Sequence, residues 1–202
     1  VVKYVKKMVP PFKLKDAVTF KQALKLGSNH QFQSVHTDHD DIAFLQYTGG
    51  TTGVSKGAIL TNRNMVANMQ QASEWIANTI EERKEVIITA LPLYHIFALQ
   101  ANCLTICAMG GENILITNPR DAKGFVAELG KHKFSLITGV NTLFATLMNT
   151  PGFKDIDFSG LRACVGGGMA VQPAIAAEWE KITGKPILQG YGLTETSPIA
   201  TA

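Results

Sequence analysis

Hydrophobic positions fall into two regimes along the chain. Through residue 40 they are scattered among lysines and polar residues. From Ile42 onward they gather into short apolar runs separated by stretches of helical period. The runs at 42–47, 86–90, 113–117, 134–138, 161–165 and 186–189 are β-branched and do not alternate in polarity, the pattern of strands covered on both faces. The segments 62–78, 96–109, 121–132, 141–149 and 171–183 have helical spacing and supply the crossovers that parallel strands require. Thr61 is placed to cap the first of them, ahead of Met65, Val66, Met69, Ala72, Ser73 and Ile76 on one period. The predicted class is α/β, a mostly parallel sheet with helices on both faces. Residues 1–40 read as a lead-in or connector and 41–202 as the α/β subdomain. In the lead-in, a basic helix over 1–9 ends at Pro10-Pro11. A second short helix is opened by a Thr19–Gln22 capping box and stopped at Gly27.

In an open parallel sheet, ligands bind beyond the carboxyl ends of the strands. The loops leaving the predicted strands are therefore informative. Residues 48–57 (Thr-Gly-Gly-Thr-Thr-Gly-Val-Ser-Lys-Gly) leave the first. Leu91–His95 leaves the second, Gly139-Val140-Asn141 the strand at 134–138, Gly166-Gly167-Gly168 the strand at 161–165, and Gly190–Ser197 the last. Five such loops are expected to meet at one crevice.

The first loop is the most specific. Its glycines let backbone N–H groups turn toward an anion, its hydroxyls add donors, and Lys56 adds a point charge. Thr48, Gly49, Gly50, Thr51, Thr52, Gly53, Ser55 and Lys56 are the candidates for gripping a polyphosphate. The loop is not a Walker A motif, because Ser55 precedes Lys56 and Gly57 comes after it. Lys56 is expected to stay on the loop. Gly166–Gly168 lets backbone approach a flat ligand, or simply turns into the helix at 171–183. Tyr191 and Gly192 offer a ring face beside open backbone, and Thr194 offers a hydroxyl. Glu195 is either a hard oxygen ligand for Mg²⁺ or a carboxylate starting a helix. His95, in an apolar context at a strand end, is either a core histidine or a functional one.

Composition narrows the classes. The net charge of +3 is too small to argue for nucleic acid, but residues 1–25 carry seven lysines against Asp16. That basic end fits a solvated face or contact with an anionic membrane surface. Three cysteines suit a reducing, cytoplasmic compartment, with or without peripheral contact at the inner membrane. The most apolar helix, 96–109, is interrupted by Gln100, Asn102 and Thr105 and is too short to span a bilayer.

Tyr47–Ala58, Gly166–Met169 and Tyr191–Pro198, in this order and spacing, resemble the adenylate-forming acyl-CoA synthetase superfamily. Segments 90–98, 115–121 and 138–144 are similar to bacterial long-chain fatty acid–CoA ligases. The resemblance implies ATP, Mg²⁺ and coenzyme A as small-molecule reactants alongside a fatty acid. It implies that Thr48–Lys56 holds the β- and γ-phosphates and that Gly166–Gly168 with Tyr191–Gly192 sandwiches adenine. Thr194 would meet the α-phosphate and Glu195 the metal. His95 would sit by the acyl carboxylate, at the entrance to a tunnel lined partly by the segment 138–144, Gly139 and Val140 in particular, glycine at 139 leaving room for alkyl. Related readings are adenylation of an aryl or amino acid, and a non-catalytic ATP-binding module. The family's ribose-holding aspartate, hinge and lysine-bearing small domain come after the point where this sequence stops, and the first part of the large domain is missing too. The chain is thus read as part of a large domain, and the purified 202-residue chain is predicted to form no acyl-CoA; detectable thioester product would contradict this reading.

Overall fold

The computed structural model describes residue 10, residues 13–48 and residues 55–202. The predicted basic helix over 1–9 lies outside them. The chain divides into two compact units, residues 1–37 and 38–202. In the first, α1 (Phe20–Gly27) is opened by a complete capping box, Thr19 with Gln22, as its sequence requires.

The second unit opens with a hairpin. β1 (Ile42–Thr48) pairs antiparallel with β2 (Lys56–Thr61), in a register that sets Thr48 opposite Lys56. This corrects two expectations. The run at 42–47 is not a strand of the parallel sheet, and Lys56 opens a strand rather than remaining on the loop. Strand β2 was hidden because Lys56-Gly57-Ala58 looks like loop and Thr61 looks only like a cap. The alternation of exposed Ile59 with buried Leu60 carries the strand signal. Thr61 does both jobs: it ends β2 and caps α2 (Asn62–Ile76) in a reciprocal box with Asn64.

The main sheet is parallel and has five strands: β3 (Val86–Thr89), β4 (Glu112–Leu115), β5 (Leu136–Gly139), β6 (Ala163–Gly166) and β7 (Ile187–Gln189), in the order β4-β3-β5-β6-β7. From β3 the chain moves outward to β4, then crosses back to β5 and proceeds the other way. The direction reverses between β3 and β5. The strands alternate between two apolar layers. Ile88, Ile137, Cys164 and Ile187 join one core, while Ile87, Leu136 and Ala163 join another. Helices α4 (Ala122–Leu129), α5 (Asn141–Met148) and α6 (Pro173–Thr183) cover the first face with Phe125, Phe144 and Trp179. Phe144 meets Trp179 edge-on, with ring centroids 4.7 Å apart. Each such fully buried ring contributes roughly 2–3 kcal/mol. Gly139 faces this layer: a Cβ there would stand 2.9 Å from the Phe144 ring.

The second face is covered by α2 and by residues 98–109. The latter are not one α-helix: Ala98–Thr105 is π-helical and leads into the short α3 (Ile106–Ala108). The polar residues that interrupt this segment turn inward. Gln100 donates to the carbonyl of Met65 at 2.9 Å. Asn102 donates to Thr89 at 2.9 Å and Thr138 at 2.8 Å, while Thr138 donates back to its Oδ1 at 3.0 Å. Asn113 donates to the Asn102 carbonyl and accepts from Thr89. This buried network joins β3, β4 and β5 at the reversal. The last elements are a ribbon, β8 (Tyr191–Gly192) with β9 (Ile199–Thr201), joined through the 3₁₀ turn Thr194–Thr196. A Cβ on Gly192 would collide with the Pro198 carbonyl, so only glycine fits there.

Burial pushes the Cys164 thiol up to about 12, although Trp179 donates to its Sγ at 3.2 Å. The unfolded thiol ionises near its ordinary value of 9.0, so this group costs stability as pH rises above that point. Alkylation at about pH 8 is expected to label exposed Cys107 first, then Cys103, whose pKa burial also raises. Cys164 should react only with denaturant present; early labelling would contradict the core described.

Candidate functional site

A cavity of about 300 Å³ opens at the carboxyl ends of β3, β5, β6 and β7 and runs along the second face of the sheet. Its mouth is lined by His95, Gly167, Gly168, Tyr191, Gly192 and Thr194. Its deeper part lies among Trp75, Ile76, Ile87, Ile106, Leu136 and Ala163. The mouth sits where the strand order reverses, the place where open parallel sheets bind ligands.

Each mouth segment is held by identifiable bonds. The glycine loop is fixed at its entry by Gly167 N–H on the Gly139 carbonyl, 3.1 Å. At its exit, Val171 N–H donates to Gln189 and Gln172 N–H to Asn141, both at 2.9 Å. Gly167 lies against Phe97, and an added Cβ would come within 2.9 Å of that ring. Gly168 has φ +76, a left-handed conformation that favours glycine. Gly166 is buried under Val171 and Ile187 and stands behind the lining.

The His95 loop is tied to the hairpin by Gln46 Nε2, which donates to the Tyr94 carbonyl at 2.6 Å. His95 is itself exposed, and its Nδ1 accepts from Phe97 N–H at 3.3 Å. With Nδ1 accepting, Nε2 is the ring nitrogen left to donate, and it suits a carboxylate oxygen. The ribbon is anchored by Asn68 of α2, whose side chain donates to the Ile199 carbonyl at 2.8 Å and accepts from its N–H at 3.2 Å. Leu193 N–H bonds the Pro198 carbonyl at 3.0 Å and Thr196 at 2.9 Å.

The hairpin and the ribbon are neighbours: β2 packs against the turn Thr194–Thr196. Ser55 donates to the Thr48 carbonyl at 2.9 Å and Thr48 to that of Lys56 at 3.3 Å, closing the hairpin base. Gly49, Gly50, Thr51, Thr52 and Gly53 lie outside the described residues. Lys56 and Glu195 are both exposed. Gly139 and Val140 do not line the cavity; Thr138 does, and Val140 lies beside Gly168. The space next to Gly139 is occupied by Phe144 and Leu143.

Three contributors were not singled out from sequence: Phe97, the inward amide of Asn102, and the α2 wall of Ala72, Trp75 and Ile76. The periodicity of Ala72 and Ile76 was visible, but it marks an apolar face without saying that the face borders a void. Among the described residues no group of three or more His, Cys, Asp or Glu could hold a metal. Lone Glu195 fits a cation only of the kind that keeps its waters and shares phosphate oxygens, as Mg²⁺ does. No helix among the described residues is long and apolar enough to cross a membrane.

The family model described as "AMP-binding enzyme" matches residues 4–202. The chain belongs to the AMP-binding enzyme family. A long-chain-fatty-acid–CoA ligase of Yersinia pestis is 54% identical over 201 residues, covering 100% of this chain and 36% of that protein. A 4-coumarate–CoA ligase of Solanum tuberosum is 31% identical over 179 residues, 86% of this chain and 32% of that one. The chain therefore spans about a third of the length of these family members. Among solved structures, apo MatB from Rhodopseudomonas palustris superposes with a TM-score of 0.76 at 24% identity, over 89% of this chain and 34% of that one. This last likeness shows the fold alone.

Asn68→Ala should release the ribbon that carries Thr194 and Glu195. Amide exchange at Leu193 and Ile199 is expected to rise at least about tenfold, since each lost hydrogen bond contributes about 1 kcal/mol. Unchanged protection at both amides would show that the ribbon holds itself in place.

Proposed function

We propose that the full-length protein activates a long-chain fatty acid with ATP and passes the acyl group to coenzyme A. The observation that carries this reading is a single cavity. Its polar, glycine-rich mouth holds His95 and Thr194, and its walls become mainly apolar toward Ile87, Leu136 and Ala163, with the Thr105 hydroxyl the polar exception there. A carboxylate head at the mouth and an alkyl chain along the sheet fit that gradient. The similarity to fatty-acid ligases at 54%, against 31% for the coumarate ligase, favours an alkyl over an aryl acid.

In the first step a carboxylate oxygen attacks the α-phosphorus of ATP. A P–O bond forms, the bond to the β-phosphate breaks, and pyrophosphate leaves. In the second step the coenzyme A thiolate attacks the acyl carbon, the C–O bond to AMP breaks, and AMP departs. His95 Nε2–H would hold the acyl carboxylate by a charge-assisted hydrogen bond. Thr194 would donate to the α-phosphate oxygens, where negative charge concentrates in the transition state. Gly167 and Gly168 would admit the adenine plane against backbone, with the Tyr191 ring opposite. Thr48, Ser55, Lys56 and residues 49–53 between them would bind the outer phosphates. Mg²⁺, when bound, would neutralise charge on the triphosphate, with Glu195 its protein ligand. Four lysines of the basic end, Lys13, Lys15, Lys21 and Lys25, are exposed and would favour an anionic membrane surface in a cytoplasmic setting.

The test is ATP–pyrophosphate exchange by the full-length protein across a panel of fatty, aryl and amino acids. Exchange confined to fatty acids is expected; exchange only with aryl or amino acids would replace the substrate class. Glu195→Ala should reduce exchange at least about a thousandfold while ATP still binds, and His95→Ala should raise the fatty-acid KM about tenfold. Exchange undiminished in Glu195→Ala would remove the metal role assigned to that carboxylate.

A further inference from the structure

Helix α2 runs from the cavity's mouth to its depth. Near its start, Met65 packs with Leu60 and Ile96, and Asn68 holds Ile199. At its end, Ile76 packs against Ile87, Ile106, Leu136 and Ala163, at the amino halves of the strands. Ala72, Trp75 and Ile76 line the cavity from this helix. Ala72 is small and Ile76 is partly buried against the second core layer, whereas Trp75 is 45% exposed while also lining the void. Its indole therefore forms the outward side of the cavity's deep end in this part of the protein.

The dimensions make that position consequential. From Leu136 to Gly139 the strand advances about 10 Å, at ~3.3 Å per residue. The volume of about 300 Å³ lies at the lower bound of small-molecule sites. The strand side cannot yield: Ile87, Leu136, Ala163 and Ile106 are almost fully buried, and displacing them would break the sheet's second core layer. The half-exposed indole can rotate outward without leaving a buried void behind it.

We propose that Trp75 is a specificity-determining residue that sets the length of acyl chain the cavity accepts, an inference that rests on the fatty-acid function proposed for this site. Medium chains end against the indole. Longer chains extend past it, and must turn it aside.

The full-length enzyme and its Trp75→Ala and Trp75→Phe variants should be assayed for kcat/KM with straight saturated acids of increasing length. In Trp75→Ala the ratio of long-chain to medium-chain kcat/KM is expected to rise about tenfold, with Trp75→Phe between it and the wild type. A second measurement does not depend on the truncated variant. An acid brominated at its terminal carbon should quench the enzyme's tryptophan fluorescence more strongly in the wild type than in Trp75→Phe. An acid brominated beside the carboxylate should quench the two alike. Length profiles that superimpose in all three proteins, or terminal-bromine quenching indifferent to Trp75, would overturn the proposal. A wild-type enzyme that activates no fatty acid in the series would instead overturn the substrate class on which it rests.

Discussion

The buried amide of Asn102 is the joint on which the site is built. Its side chain bridges Thr89 and Thr138, the residues at the carboxyl ends of the two strands between which the sheet reverses direction. Reversal opens a crevice because the connections leaving those strands diverge. Left to packing alone, such a gap would be closed by apolar side chains or splayed by repulsion between unpaired polar groups. A fully bonded polar cluster fixes its width instead, since each buried donor and acceptor would cost about 1–3 kcal/mol if its partner moved away. The π-helical turn belongs to the same device. It carries Asn102 into that cluster on a segment that also presents Ala101 to the cavity, while Gln100 Oε1 and the Thr105 hydroxyl are buried without a hydrogen-bond partner among the described residues.

From that joint outward, three separate loops are set by short-range bonds to sheet or helix. The glycine loop rests on Gly139, Asn141 and Gln189. The His95 loop rests on Gln46, and the ribbon with Thr194 rests on Asn68. The hairpin and the terminal ribbon, far apart in sequence, come together because α2 begins where β2 ends and its first turns reach Ile199.

How much of this the sequence displayed depends on what kind of force placed each residue. The parallel strands were legible because both their faces are buried, and continuous apolar runs such as Val86–Thr89 have no other common explanation. Caps at Thr19 and Thr61 were legible because capping is a local bond. Glycines at 167, 168 and 192 announced close approach, although what approaches Gly167 is Phe97 and what approaches Gly192 is the Pro198 carbonyl. Strand β2 escaped because one alternating pair is too short a period to read. The inward turn of Asn102 escaped because a polar residue in an apolar helix looks the same whether it meets solvent or a buried partner. Gly139 misled for a related reason: the missing side chain makes room, but only the fold decides that a phenylalanine occupies it.

Helix α2 touches both ends of the cavity, gripping the terminal ribbon through Asn68 and walling the deep end through Trp75 and Ile76. At ~1.5 Å per residue its fifteen residues span roughly 22 Å. One continuous element thus supplies a wall at one end of the void and, at the other, the anchor of the turn that bears Glu195.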